Sequence, residues 1–418
     1  MTEQDIIPHL FRTEFGKITA VLSRYLGIEH LEAAEDIASE TFVTALENWP
    51  YHGMPAEPAA WLYTVAKNKA KNYISRRQLF KSKIINYITP ASDFEAAPEI
   101  DLSQENIADS VLQMMFTICQ PAIPGEAQIS LALRILCGFG IDEIATALLT
   151  NNETIKKRLY RAKEKLRTEN ISLALPLQAE WSSRLQNVLT TLYLLFNEGY
   201  YSESNDVIVR EELCREAIRL TYLLAENKST SLPAVNALLS LMCFHASRLP
   251  ARKNQNGDVL LYDEQDESLW NQELILKGVY FFKQAATGDL VTTYHLEAGI
   301  AYWHTIKNDT KEKWESILHL FNQLLRIQYS PVAALNRTYA FSKVHGKEAA
   351  IMEAKKLQLI QNHYYFTLLG ELYVDIDARK AVNYYKQAIE IARTNTDKQT
   401  IQKKINEVDR RYRTKKAV

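Results

Sequence analysis

The chain has 418 residues, enough for two or three domains with cores of their own, and 47% of them are hydrophobic, an ordinary share for a globular protein. Forty-nine Lys and Arg against 50 Asp and Glu leave a formal charge of −1, which excludes a protein that coats nucleic acid over its whole surface; such binding must come from local patches. Cys119, Cys137, Cys214 and Cys243 stand far apart without a CxxC pair, so they read as buried thiols rather than disulfides or a zinc site. The chain opens on no signal-peptide pattern and holds no apolar run of membrane-spanning length, so a soluble, cytoplasmic protein is expected.

Apolar positions recur at the 3.6-residue helical period almost from end to end, which predicts an all-α fold. From Pro8 to Leu26, Leu10, Phe11, Phe15, Ile18, Leu22 and Tyr25 make a helical face that ends near Gly27. A second helix, His30 to Trp49, has Leu31, Ala34, Ala38, Phe42, Ala45 and Trp49 inward and the acids Glu32, Asp36, Glu40 and Glu47 outward. By itself such an acidic stripe is an ordinary solvated face. After a proline-bearing loop, a third helix from Ala59 to about Arg77 buries Trp61, Leu62, Val65, Ala66, Ala70 and Tyr73. It leaves Lys67, Asn68, Lys71, Asn72, Ser75, Arg76 and Arg77 outside, a mixture of amides and cations that suits an unstacked single strand.

From Lys81 to Ser103 the periodicity fades and Pro90, Pro98, Asp93, Glu95, Glu99 and Asp101 accumulate, as in a flexible acidic connector. A helix from Gln104 to Cys119 follows. Three stripes then come in succession: Ile129, Leu133 and Leu136; Ile141, Ile144, Ala145 and Leu148; and Ile155, Leu159, Ala162 and Leu166. They are broken at Gly138-Phe139-Gly140 and Thr150-Asn151, which is the pattern of a helix-turn-helix. The third helix, capped by Asn151 or Asn152, carries Lys156, Lys157, Arg158, Arg161, Lys163, Lys165 and Arg167 against Glu153 and Glu164. Candidate DNA contacts are Asn152, Glu153, Thr154, Lys156, Lys157, Arg158 and Arg161. Glu153, Thr154, Lys156 and Lys157 lie nearest to base edges, and the long basic side chains reach phosphates.

AEDIASETFVTALENW followed by PAAWLYTVAKNKAKNYISRR resembles the polymerase-binding and promoter-melting segments of bacterial extracytoplasmic-function (ECF) sigma factors, and the later helix-turn-helix resembles their module for the −35 promoter element. The resemblance implies that Asp36 and Glu40, with Glu35, dock on RNA polymerase core. It also implies that Asn68, Lys71 and Asn72 meet bases of the melted −10 element while Arg76 and Arg77 meet phosphates. The expected domains are residues 1–80 for core polymerase and the −10 element, 81–103 as linker, 104–170 for the −35 element, and 171–418 as a C-terminal extension.

The extension is again helical, from Trp181 to Asn197, Arg210 to Glu226, Leu232 to Ser247, Leu269 to Ala286 and onward. Phe366, Leu369, Gly370 and Tyr373 on one helix and Ala381, Tyr385 and Ala388 on the next make a tetratricopeptide-like (TPR-like) signature. Phe196–Tyr201 and Gly257–Asp266 resemble segments of the ECF subgroup with such an extension, which implies a regulatory surface for a protein or ligand. No GxxxxGK[ST], HExxH or nucleophile elbow is present, and His295 with Glu297, or Cys243 with His245, lack a third partner. The expectation is therefore no enzyme, no cofactor and no metal. Two other readings stand beside the sigma factor: a TPR-like scaffold with a structural helix-turn-helix, and a DNA-binding regulator that works without polymerase.

Overall fold

In the computed structural model, residues 3–85, 100–169, 171–177, 180–201, 207–252, 260, 262–392 and 394–416 are described, and all regular structure among them is helical. Residues 86–99 of the expected linker, and 257–259 and 261 of the second singled-out segment, lie outside the described residues. The chain divides into two compact units, Met1–Ser231 and Leu232–Val418.

In the first unit the predicted stripes become α1 (Glu3–Leu26), α2 (Leu31–His52) and α3 (Pro58–Ile85). α1 stops where Gly27 takes φ +92°, a conformation that glycine adopts without a Cβ clash. Each inward residue expected on α2 is buried. At the end of the expected connector, Ile100 is fully buried and the Asp101 N–H donates to Tyr25 Oη at 3.0 Å. α4 (Gln104–Ile118) starts at Ser103, whose Oγ accepts from the Asn106 N–H.

α5 (Gly125–Leu131) runs into a π-helical turn, Ala132–Leu136, and is followed by α6 (Ile141–Ala147) and α7 (Asn152–Thr168). Of the three stripes, Ile129, Leu133, Leu136, Ile144, Ala145, Ile155, Leu159, Ala162 and Leu166 are buried, while Ile141 and Leu148 are half-buried. Asn151 is the cap of α7, its Oδ1 accepting from the Thr154 N–H at 2.8 Å. Leu149, just before it, takes φ +47°, which costs a non-glycine residue about 1 kcal/mol.

α8 (Trp181–Tyr201) and α9 (Val207–Glu226) belong to this same unit. Trp181 stacks on Phe116 at 5.3 Å, and Arg184 donates to the Phe116 carbonyl at 2.5 Å. Thr191 Oγ1 donates to the buried Gln128 at 2.7 Å, while Gln128 Nε2 donates to the carbonyls of Gln120 and Ile123. These bonds leave the polar groups of Gln128 paired within the core, and they join α8 to α5.

The second unit consists of α10 (Pro233–Ser247), α11 (Gln272–Ala285), α12 (Thr293–Trp303), α13 (Lys311–Ile327), α14 (Pro331–His345), α15 (Lys347–Leu357), α16 (His363–Tyr373), α17 (Ala378–Ile391) and α18 (Asn395–Lys416), with short 3-10 turns. One apolar cluster joins α12, α13 and α14 through Ile300, Trp314, Ile317, Phe321 and Ala340. Another joins α14 to α18 and contains Leu369, Tyr373, Ala381, Tyr385 and Ala388. The four cysteines are buried, and burial pushes the Cys119 and Cys243 thiols up to about 12. Among the described residues no helix is long and apolar enough to cross a membrane, and no cluster of three metal-ligating side chains occurs.

Candidate nucleic-acid interface

α2 presents Glu32, Asp36, Glu40 and Glu47 to solvent. Asp36 and Glu40, four residues apart, stand on the same face. Glu40 also meets Lys69 of α3 at 3.3 Å. Glu35 is 100° around the helix and belongs to the other side. It is 4% exposed, its Oε2 accepting from Lys163 Nζ of α7 at 2.5 Å and its Oε1 lying 3.3 Å from Arg134 Nε. The implied trio is thus divided between two exposed acids and one buried acid. Val43 and Leu46 are 49% and 55% exposed on the same helix, so the ridge is partly apolar. Their one signal in the sequence is that both fall outside the inward stripe.

On α3, Asn68, Lys71, Asn72 and Arg76 are exposed and Arg77 is half-buried. Their spacing of three to five residues keeps Asn68, Lys71, Asn72 and Arg76 close to one side of the helix. Trp61 faces inward, edge to face with Trp49 at 5.4 Å. Its neighbour Tyr63 donates its hydroxyl to Glu14, and burial, reinforced by that carboxylate, raises the phenol above its usual range. Tyr63, Thr64, Lys67 and the segment Ile100–Ser103 line a groove of about 670 Å³ beside this face. Sequence periodicity could not reveal the groove, because one wall comes from the end of the connector.

On α7, Asn152, Glu153, Lys156, Lys157 and Arg161 are exposed, and Thr154 and Arg158 are half-buried. Several already have partners. Asn152 donates to Asp142, Arg158 pairs with Glu126, and Lys156 pairs with Glu153 at 3.0 Å, a hydrogen bond that lowers the Glu153 carboxyl. Lys163 is committed to Glu35, and Lys165 donates to the Ala122 carbonyl. Lys157 and Arg161 therefore give the open cationic face, joined by Tyr160, which is 67% exposed.

The turn between α5 and α6 is held from α1. The Arg12 guanidinium lies 4.0 Å from the centre of the buried Phe139 ring and donates to the Gly138 carbonyl at 3.0 Å. Gly16 packs so closely on the Leu136 carbonyl that no β-carbon would fit. From the other side, Arg219 of α9 donates to that same carbonyl at 3.0 Å.

The two segments singled out in the extension are packed where they are described. Phe196 stacks on Tyr200 at 5.7 Å, and both are buried. Tyr262 donates to the Ile306 carbonyl at 3.2 Å and accepts from the buried Lys313 at 3.1 Å. A cleft of about 470 Å³ between α11, α12 and α13 is lined by Phe282, Tyr302, Trp303 and Leu320, with Glu315 and His319 also in its wall. His295 caps its own helix at Thr292.

Residues 10–80 match Sigma-70 region 2. Residues 184–286 match a family of unknown function, DUF6596. An uncharacterized protein of Rhizobium meliloti (strain 1021) is 33% identical over 377 residues, which is 89% of this chain and 88% of that protein. The ECF RNA polymerase sigma-E factors of Salmonella typhimurium (strain LT2) and Escherichia coli (strain K12) are each 27% identical over 154 residues, 35% of this chain and 78% of theirs. No solved structure matches.

Proposed function

The chain belongs to the same family as the uncharacterized Rhizobium meliloti protein, and from that starting point we propose that it is an ECF-type sigma factor that directs RNA polymerase core to specific promoters. The observation that carries this reading is the region 2 match over residues 10–80, which falls on the helices that carry both the acidic ridge and the amide-cation face. In this reading Asp36 and Glu40 give the contact with polymerase its orientation and on-rate through charge complementarity.

Asn68, Lys71 and Asn72 then meet splayed bases of the melted −10 element, with Arg76 and Arg77 on its phosphates. α6 and α7 act as a helix-turn-helix on the duplex −35 element, with Asn152 in the contact face, Glu153, Thr154, Lys156 and Lys157 nearest to base edges, and the long basic side chains of Lys156, Lys157, Arg158 and Arg161 reaching phosphates. Holding one element makes capture of the second intramolecular and raises its effective concentration. Bond chemistry belongs to the polymerase.

The helical extension, TPR-like in its late pairs, serves as the regulatory part in this reading. The aromatic cleft of α11–α13 is its candidate ligand surface, and the location is cytoplasmic. The test is run-off transcription with purified core polymerase on promoters found by sequencing transcripts after overexpression. A transcript that depends on the chain supports the reading. Failure both to bind core and to start transcription at any such promoter overturns it.

A further inference from the structure

We propose that α17 and α18 form a further nucleic-acid contact, one that grips the phosphates of a duplex without reading its sequence. The inference goes beyond the sigma-factor reading and stands on charge and burial in the second unit alone. From Ala378 to Val418 the chain holds 12 Lys and Arg against four Asp and Glu, whereas residues 1–377 hold 37 against 46. A chain of formal charge −1 thus carries a segment of +8, and a basic stretch of that density is the electrostatic footprint of a phosphate-binding surface.

The helical period puts much of this charge opposite the core. On α17 the buried stripe is Ala381, Tyr385 and Ala388, and the exposed Arg379 and Lys386, seven residues apart, lie on the opposite side. On α18 the buried stripe is Ile401, Ile405 and Val408, and the exposed Lys403, Arg410 and Arg411 lie away from it. The sequence adds Arg413, Lys415 and Lys416 beyond them. Two of the cations are consumed, since Lys404 meets Glu371 at 2.7 Å and Lys380 meets Asp377 at 3.3 Å. Among the acids, Asp397 accepts from Thr394 at 2.7 Å and lies 3.5 Å from His363, while Glu390, Glu407 and Asp409 are exposed between the cations. Arg379, Lys386, Lys398 and Arg411 form no ion pair among the described residues.

Burial decides between anionic partners. A helix that rests on a lipid surface presents a bare apolar face to it, and a protein interface is centred on apolar or aromatic anchors. No large apolar side chain of α17 or α18 is exposed among the described residues. The cations stand instead among the exposed amides of Asn383, Gln402 and Asn406, and lysine, arginine and amide side chains are the groups that hold phosphate oxygens. Each phosphate neutralised releases counterions from the duplex, so the grip works on any sequence and weakens as salt rises. In the sigma-factor reading it supplies on-rate and residence, while the choice of promoter stays with α3 and α7.

The test measures binding of the full chain to a labelled duplex of about 30 base pairs that carries no promoter element, at salt from about 50 to 200 mM. The wild-type chain should bind it. Arg379→Glu with Lys386→Glu, Lys398→Glu and Arg411→Glu should weaken that affinity about tenfold or more and lower the slope of log affinity against log salt by about 2 or more. Because these side chains are exposed, circular dichroism and the melting temperature should stay as in the wild type. Glutamine at the same positions should give a smaller loss in the same direction, which keeps the outcome readable if the reversed charges disturb folding. Lys157→Ala with Arg161→Ala removes the share of the signal that α7 contributes, and the loss from α17 and α18 should persist in that background. Affinity and slope unchanged in both the glutamate and the glutamine variants overturn the proposal, as does a wild-type chain that binds phosphatidylserine vesicles in place of the duplex. Binding to core polymerase is read separately: a wild-type chain that grips the duplex yet never binds core overturns the sigma-factor reading and leaves this one standing.

Discussion

Tyr385 of α17 occupies the space that a side chain at Gly370 of α16 would need, since a β-carbon there would come within 2.6 Å of the Tyr385 ring. The ring is 1% exposed and its hydroxyl donates to Glu371 at 3.1 Å, so it cannot easily move aside. Gly370→Ala should therefore destabilise the second unit by about 1–3 kcal/mol through overpacking, despite alanine's better helix propensity. Thermal unfolding measures it, and a raised melting temperature would show that the ring can yield.

Asp36→Lys should reduce co-purification with core polymerase at least tenfold while leaving the helical circular dichroism signal intact, because the side chain is exposed. Glu40→Lys should act in the same direction and additionally lose the pair with Lys69. Retention of full affinity in the double variant would remove the acidic ridge from the interface.

Lys156→Ala with Lys157→Ala should weaken promoter binding and lower the slope of log affinity against log salt by roughly 1–2, given about 0.9 per phosphate contact. Lys157→Ala should account for the larger share, because Lys156 already pairs with Glu153. Titration of a −35 duplex at several salt concentrations decides it, and an unchanged slope would place these lysines away from the phosphates.

His304 should make the second unit acid-sensitive. Burial, aided by the Arg248 and Lys313 charges, lowers its pKa to about 3. The unfolded chain takes up a proton near pH 6.5 while the folded chain does not, so this contribution to stability is present above that pH and is lost as pH falls toward 3. By pH 5.5 the loss is roughly 1.4 kcal/mol from this group. Thermal melts across pH 5 to 8 test the slope, and His304→Phe should flatten it.

Much of the molecule could be read before any fold was in hand. The inward faces of α1, α2 and α3 and the breaks at Gly138 and Asn151 follow from helical periodicity and from residues whose conformational needs are local. Exposure of Asp36, Glu40, Lys71, Asn72, Lys157 and Arg161 follows from the same periodicity, because a residue opposite an apolar stripe faces water.

What periodicity could not supply is the partner of a residue in another element. Glu35 sits beside Asp36 in the chain and looks equally acidic, yet a single helical step turns it toward Lys163, 128 positions away. Ile100 and Asp101 read as connector, yet Ile100 is buried and the Asp101 N–H bonds Tyr25 of α1, 76 positions away. α8 and α9 read as the start of an extension, but Thr191, Arg184 and Arg219 fasten them to α5, α4 and the Leu136 carbonyl.

The amino-acid order by itself determined where helices form, which side of each is apolar and where charge of each sign gathers, because those depend on neighbours within a turn or two. Tertiary structure alone decided which charges stay free and which are consumed in pairs. Burial and a partner's position are properties of the assembled unit, and a carboxylate's availability depends on both.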